Sequence, residues 1–266
     1  MQQLLPGVPE TAMRIDISPD KVEMGRRAAA QGATILRECL RKQSEARLVL
    51  ATGVSQFTVL AALLQEPDID WHRVTLFHLD EYLGLPPTHP ASFRKFLWDR
   101  FVKQLKVPLK AAFWIDGQAA PELECKRLAI AIDEKPVALA FVGIGENGHL
   151  AFNDPPADMT TSTPYILVQL DEACRRQQIG EGWFPSMDSV PTHAISMSIQ
   201  QIMKIQHIIC SVPDDRKAQA VKSAVEGPVS QIVPASILQQ HSQCFLYLDQ
   251  PAASLLSQKP PENSAA

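Results

Sequence analysis

The sequence predicts one α/β domain built on a mostly parallel sheet with helices on both faces. Short apolar runs alternate with longer amphipathic ones along the chain. The short runs are apolar at consecutive positions, which is the pattern of strands buried on both faces. A length of 266 residues, with no internal repeat and no long linker, suits a single large domain.

The elements follow in chain order. Ser18-Pro19 is the expected cap and first turn of a helix running through KVEMGRRAAAQGATILRECLRKQ. LVLA (Leu48–Ala51) reads as a strand, TGVSQ as a turn and FTVLAALLQ as a helix. VTLFHL (Val74–Leu79) is the second strand, followed by a helix from Ser92, SFRKFLWDRFVKQL. ECKRLAIAIDE is another helix and VALAFV (Val137–Val142) a buried strand. AISMSI, HIICSV, the helix DRKAQAVKSAVEG and the strand CFLYLD complete the alternation. The domain is expected to occupy residues 1–257, and the polar, Pro-rich tail 258–266 is expected to be loose.

Composition narrows the partners. Lys and Arg number 25 against 29 Asp and Glu, a formal charge of -4, so binding nucleic acid by phosphate neutralisation is not expected. With 45% hydrophobic residues the chain is not globally disordered. No apolar run approaches the ~18 residues that span a bilayer, and the start lacks the basic and apolar regions of a secretory signal. The five cysteines, Cys39, Cys125, Cys174, Cys210 and Cys244, are scattered without a C-x-x-C pair. They read as packing residues in a reducing, cytoplasmic setting rather than as disulfides or a zinc site.

In such sheets ligands bind beyond the carboxyl ends of the strands, so the residues that follow each strand matter most. After LVLA stand Thr52, Gly53, Val54 and Ser55, whose N–H groups and hydroxyls suit a phosphate. The alternative is an ordinary turn with Ser55 as helix cap. After VALAFV comes GIGENG, a match to G-x-G-x-x-G. The following HLAFNDPP, with Pro155-Pro156, forbids the helix that a dinucleotide site needs, so no such cofactor is expected. The glycines instead bring His149 over the crevice, with Asp154 within loop reach to fix its tautomer for acid/base work. N–H groups of the Gly145–Gly148 loop are candidate donors to a developing oxyanion.

Asp80-Glu81 ends the second strand, and at least one of the two carboxylates should face the crevice. His78, Asp80 and His89 raise a metal site, but no second carboxylate–histidine pair has ligand spacing, and no metal is expected. Lys217 opens a helix, where a cation opposes the helix dipole, so an anionic ligand is the sharper reading and a solvated lysine the plainer one.

Taken together, LATGVS, FHLDEYLGLPPTHPASF, VGIGENGHLAFNDP and RKAQAVKSAVEGPVSQIVPASILQQH resemble the glucosamine-6-phosphate deaminases. These sugar-phosphate isomerases lie within the wider group that includes 6-phosphogluconolactonases. The resemblance runs from about Leu48 to His241. It implies a Rossmann-like fold with a small lid at about 155–191. It also implies conversion of glucosamine 6-phosphate and water to fructose 6-phosphate and ammonia, without metal or organic cofactor. Asp80 is then the base that moves a proton between C2 and C1. His149 opens the sugar ring, oriented by Asp154, and Asn147 is counted with them as catalytic. Thr52, Gly53, Ser55 and Lys217 hold the phosphate, and Gly145 and Gly148 complete the binding loop.

Departures from the pattern carry expectations of their own. Asp154 stands where many relatives carry Glu, one methylene longer. The early lid, MTTSTPYIL, lacks basic residues, so activation by N-acetylglucosamine 6-phosphate is not expected. The lid arginine that meets substrate phosphate has no clear match: Arg175 and Arg176 are near, and Gln178 falls in the corresponding place. A lactonase and a non-catalytic sugar-phosphate sensor are the other readings. The Asp-Glu-Tyr segment favours the deaminase, because lactone hydrolysis needs no base at C2. The partner expected is a small sugar phosphate, with neither nucleic acid nor membrane, and a homo-oligomer is left open.

Overall fold

A computed structural model describes residues 13–257; the tail 258–266 lies outside the described residues. In chain order the elements are β1 (Arg14–Ser18), α1 (Lys21–Lys42), β2 (Ala46–Leu50), α2 (Phe57–Leu63), β3 (Val74–His78) and β4 (Asp80–Tyr82). Next come α3 (Phe93–Arg100), β5 (Ala111–Phe113), α4 (Pro121–Asp133), β6 (Leu139–Val142), β7 (Tyr165–Gln169) and α5 (Glu172–Gly180). The last are β8 (His193–Met197), α6 (Ile199–Met203), β9 (His207–Val212), α7 (Ala218–Glu226) and β10 (Cys244–Asp249).

Seven strands form a parallel sheet in the order β1-β10-β9-β6-β2-β3-β5. Alternation along each strand explains why both faces are covered. Leu48 and Leu50 of β2 enter one core with Met24 and Leu36 of α1 and Leu60 of α2. Val49, between them, enters the opposite core with Leu128 of α4 and Val221 of α7. Each strand therefore needs apolar residues at successive positions, which is the run pattern seen in the sequence.

Three local expectations change. The cap of α1 is Asp20, whose Oδ1 accepts from the Val22 and Glu23 N–H groups at 2.8 and 2.9 Å, while Ser18 ends β1. The helix begun at Ser92 stops at Arg100, where Phe101 leaves helical geometry, and a 3-10 turn at Val102–Gln104 follows. AISMSI is a strand, β8, but it lies in a second, antiparallel sheet of order β4-β8-β7.

That small sheet positions the site. Asp80 pairs with Ser196 and Tyr82 with Ala194, so the chain leaving β3 is clamped at once. The segment expected as a lid folds as β7, α5 and a 3-10 turn. An aromatic cluster beneath the small sheet holds it: the Tyr82 ring stands 4.9 Å from Phe93, 5.2 Å from Phe152 and 5.4 Å from Phe184. Cys174 of α5 packs in the same cluster.

Candidate active site

The strands whose ends carry the candidate residues are neighbours, in the order β9-β6-β2-β3. Their following loops line one cleft, which contains Thr52, Gly53, Ser55, Asp80, Gly145, His149 and Lys217. Asn147, Asp154 and Gly148 are not among the lining residues, but the first two contact the histidine.

Asp80 and Glu81 divide their work. The Asp80 side chain lines the cleft although the residue is only 6% exposed. Burial, and after it the adjacent Glu81 charge, pushes its carboxyl well above the usual carboxylate range. Glu81 points away and caps α3: it accepts from the N–H groups of Tyr82, Phe93 and Arg94 and from the Ser92 hydroxyl, at 2.8 to 3.1 Å.

The metal set raised from the sequence is not assembled. His78 is fully buried, and its Nε2 accepts from the Ile115 N–H at 2.8 Å. His89 accepts from the Ala91 N–H and stacks on Phe184.

His149 is 9% exposed, and its Nδ1 stands 3.0 Å from Asp154 Oδ1. The shorter aspartate therefore reaches the ring. Burial raises the Asp154 pKa, but the His149 contact and the Asp171 and Asn147 donors outweigh it and hold the carboxyl below its usual value. Asn147 acts as a bracket: its Nδ2 donates to Asp154 Oδ1 at 3.2 Å and to Asp171 Oδ2 at 3.1 Å. Its Oδ1 accepts from the His149 N–H at 3.1 Å. Cys174 completes a trio with His149 and Asp154, the ligand atoms lying within 4.8 Å of one another. Burial and then the charges of Asp154 and Asp171 push that thiol well up, so it stays neutral, and both Asp154 oxygens already accept hydrogen bonds.

The hydrogen bonds of the glycine loop seat the histidine. The Gly145 N–H donates to the His149 carbonyl and the Gly148 N–H to the Gly145 carbonyl, each at 3.0 Å. Glu146 N–H donates to Gln177 Oε1 at 3.1 Å. Of the loop N–H groups expected as donors to a reacting oxygen, those of Gly145 and Gly148 are used within the loop and that of Glu146 by Gln177. Gly145 has a different necessity: a Cβ there would lie 2.3 to 2.5 Å from three atoms of the His149 ring.

The residues expected to hold an anion fall in two parts of the cleft. Gly53, at φ 92, turns the chain after β2 so that Thr52 to Ser55 open toward the cleft. Ser55 is not a helix cap; its Oγ accepts from Gln56 Nε2 at 3.2 Å, which leaves its hydroxyl hydrogen for a ligand. Lys217 is 5% exposed, ends the 3-10 turn Asp215–Lys217 and caps α7. Burial lowers its pKa, and among the described residues it forms no ion pair. A buried ammonium of this kind is a group whose charge an anion would offset.

The lid contributes residues that the sequence reading did not select. Gln177, Gln178 and Glu181 line the cleft, with Phe93 and Phe152. Gln178 thus occupies the wall where an arginine was sought. Arg175 donates to the Met187 and Val190 carbonyls at 2.6 and 2.9 Å, and Arg176 pairs with Glu172 on the surface. The helical spacing of Gln177 and Glu181 places them on one side of α5, but which side faces the cleft depends on the aromatic cluster.

A family model described as glucosamine-6-phosphate isomerases/6-phosphogluconolactonase matches residues 19–246. Among curated relatives, the glucosamine-6-phosphate deaminase of Oenococcus oeni is 36% identical over 248 residues, covering 93% of this chain and all of that protein. That of Bacillus thuringiensis is 35% identical over 231 residues, 86% of each chain. A solved monomeric glucosamine-6-phosphate deaminase superposes with a TM-score of 0.84 at 31% identity, covering 91% of this chain and 100% of that one. A putative 6-phosphogluconolactonase from Neisseria gonorrhoeae superposes at 0.72 with 18% identity, over 89% of this chain and 99% of its own, a likeness of fold.

Proposed function

From a chain that belongs to the family of glucosamine-6-phosphate isomerases and 6-phosphogluconolactonases, we infer a glucosamine-6-phosphate deaminase. The observation that carries this reading is the sharing of one cleft by Asp80, His149 and Lys217, delivered by three different strand ends.

The residues divide the reaction. Lys217, the Thr52–Ser55 turn and its hydroxyls bind the phosphate and set the register of the sugar. His149, steadied by Asp154, moves a proton between the anomeric hydroxyl and the ring oxygen, which opens the ring to the aldehyde. The aldehyde acidifies the C2 hydrogen, and the Asp80 carboxylate removes it. Burial makes that carboxylate a stronger base than an exposed one. Return of the proton to C1 gives an imine at C2, which adds water and releases ammonia, leaving fructose 6-phosphate. The net change is hydrolysis of a C–N bond coupled to an aldose–ketose shift.

A lactonase would share the anion cradle and the histidine but would have no use for a buried carboxylate at the end of β3. Asp80 therefore favours the deaminase. Among the described residues no helix is long and apolar enough to cross a membrane.

The test is to incubate the purified protein with glucosamine 6-phosphate and measure ammonia and fructose 6-phosphate together. Both products should form in equal amounts and depend on Asp80 and His149. Consumption of 6-phosphogluconolactone without ammonia from the amino sugar would move the assignment to the lactonase. Saturable binding with neither product would make the chain a sensor.

A further inference from the structure

The cleft contains a carboxylate that the reaction above does not use. Glu181 caps the C-terminus of α5 and lines the same cleft as Lys217. Of the charged side chains acting on Lys217, Glu181 comes first, ahead of Glu146 and Arg216. Its oxygens are anchored by neutral donors, Oε1 by Gln177 Nε2 at 2.8 Å and Oε2 by Trp183 Nε1 at 3.2 Å. A glutamine would keep one acceptor oxygen for these two donors and would remove the charge, which acts on Lys217 and on the buried Tyr82 hydroxyl. The two lid arginines face elsewhere, which leaves Lys217 as the cation lining the cleft among the described residues.

We propose that Glu181 sets the affinity of the cleft for phosphate, as an internal counter-charge to Lys217 that competes with the phosphate of the substrate. The proposal rests on the sugar-phosphate reading of the cleft and adds that this chain binds the phosphate less tightly than its cradle would allow. A dianion arriving at Lys217 meets the Glu181 carboxylate in the same cleft, and that repulsion is removed when the side chain is made neutral.

The experiment is calorimetric titration of the full-length protein with inorganic phosphate at neutral pH and low ionic strength. Glu181→Gln should bind phosphate about tenfold more tightly than the unsubstituted protein, and Lys217→Gln should abolish binding. Glu181→Ala should change affinity in the same direction, which keeps the test available should the glutamine variant fold poorly. Equal or weaker phosphate binding in both folded Glu181 variants would overturn the proposal, as would binding that survives Lys217→Gln. Failure of the deaminase reading has a separate signature, the absence of ammonia from the unsubstituted protein.

Discussion

Asp80 and Glu81 are consecutive in the chain and face opposite sides of β4, Asp80 into the cleft and Glu81 into the N-terminus of α3. Strand alternation alone separates a buried base from a buried cap. Asp80→Asn should therefore lower kcat by about a factor of 10² to 10⁴ with the fold intact. Glu81→Gln should instead lower the unfolding free energy by about 1–3 kcal/mol, because it weakens an acceptor of charge-assisted hydrogen bonds. It should also move the acid limb of kcat/KM to lower pH, since the like charge that raises Asp80 is gone. Steady-state rates across pH, with denaturant titration of each variant, check both claims; a stable Glu81→Gln whose Asp80 limb is unmoved contradicts the division.

Gly145→Ala tests whether the loop exists to seat the histidine. The added methyl would sit 2.3 to 2.5 Å from the His149 ring, which is the movable partner, so the ring must shift. A catalytic imidazole displaced by about 1 Å loses on the order of 10²-fold in rate. Turnover should fall by that order while inorganic phosphate, for which we propose Lys217 and the Thr52–Ser55 turn as the binding groups, inhibits as before. Unchanged turnover would show that the ring's position over Gly145 is immaterial.

Much of this site was legible in the sequence because its parts follow strands that are continuous apolar runs: Thr52 after β2, Gly143 after β6, Lys217 after β9. Their convergence follows from the parallel sheet. What was not legible depends on pairing at long range. β4 has three residues and β5 is AAF, too short for a period to show. AISMSI reads as a strand, yet nothing in it says that its partners are Asp80–Tyr82 and Tyr165–Gln169 in a separate sheet. The N–H groups of Gly145 and Gly148 looked free for an oxyanion because their acceptors are carbonyls of the same loop, a matter of geometry rather than residue type. The same holds for α5: its helical spacing is readable, but the rings of Tyr82, Phe93 and Phe184 decide which side meets the cleft.

Asp154 carries a prediction about both rate and acid stability. Asp154→Asn should reduce kcat about ten- to a hundredfold by loosening the histidine, with little change in KM. The folded carboxyl is held below its ordinary 3.8, so its contribution to stability is complete above that value. It is lost as pH falls through the lower folded value. The stability gap between the wild type and Asp154→Asn should therefore be constant at neutral pH and close only at the acid extreme. A gap that closes already near neutrality would mean that a different group is responsible.

His78 should give the protein its steepest stability change in mild acid. It is wholly buried, it takes the Ile115 N–H on Nε2, and burial depresses its pKa from 6.5 to about 3. Below pH 6.5 the unfolded chain binds a proton there that the folded chain refuses, so stability falls as pH drops, down to about 3. The slope from this one group is about 1.4 kcal/mol per pH unit. His78→Gln removes the titration and weakens the Ile115 contact, so the variant should be less stable near neutrality. Its deficit should shrink at about that slope as the solution is acidified. Denaturant titrations of both proteins through this range measure the difference directly, with other titrating groups cancelling between them. A deficit independent of pH would show that the imidazole takes up its proton equally in the folded and unfolded chains, against the closed environment between β3 and the Ile115 backbone.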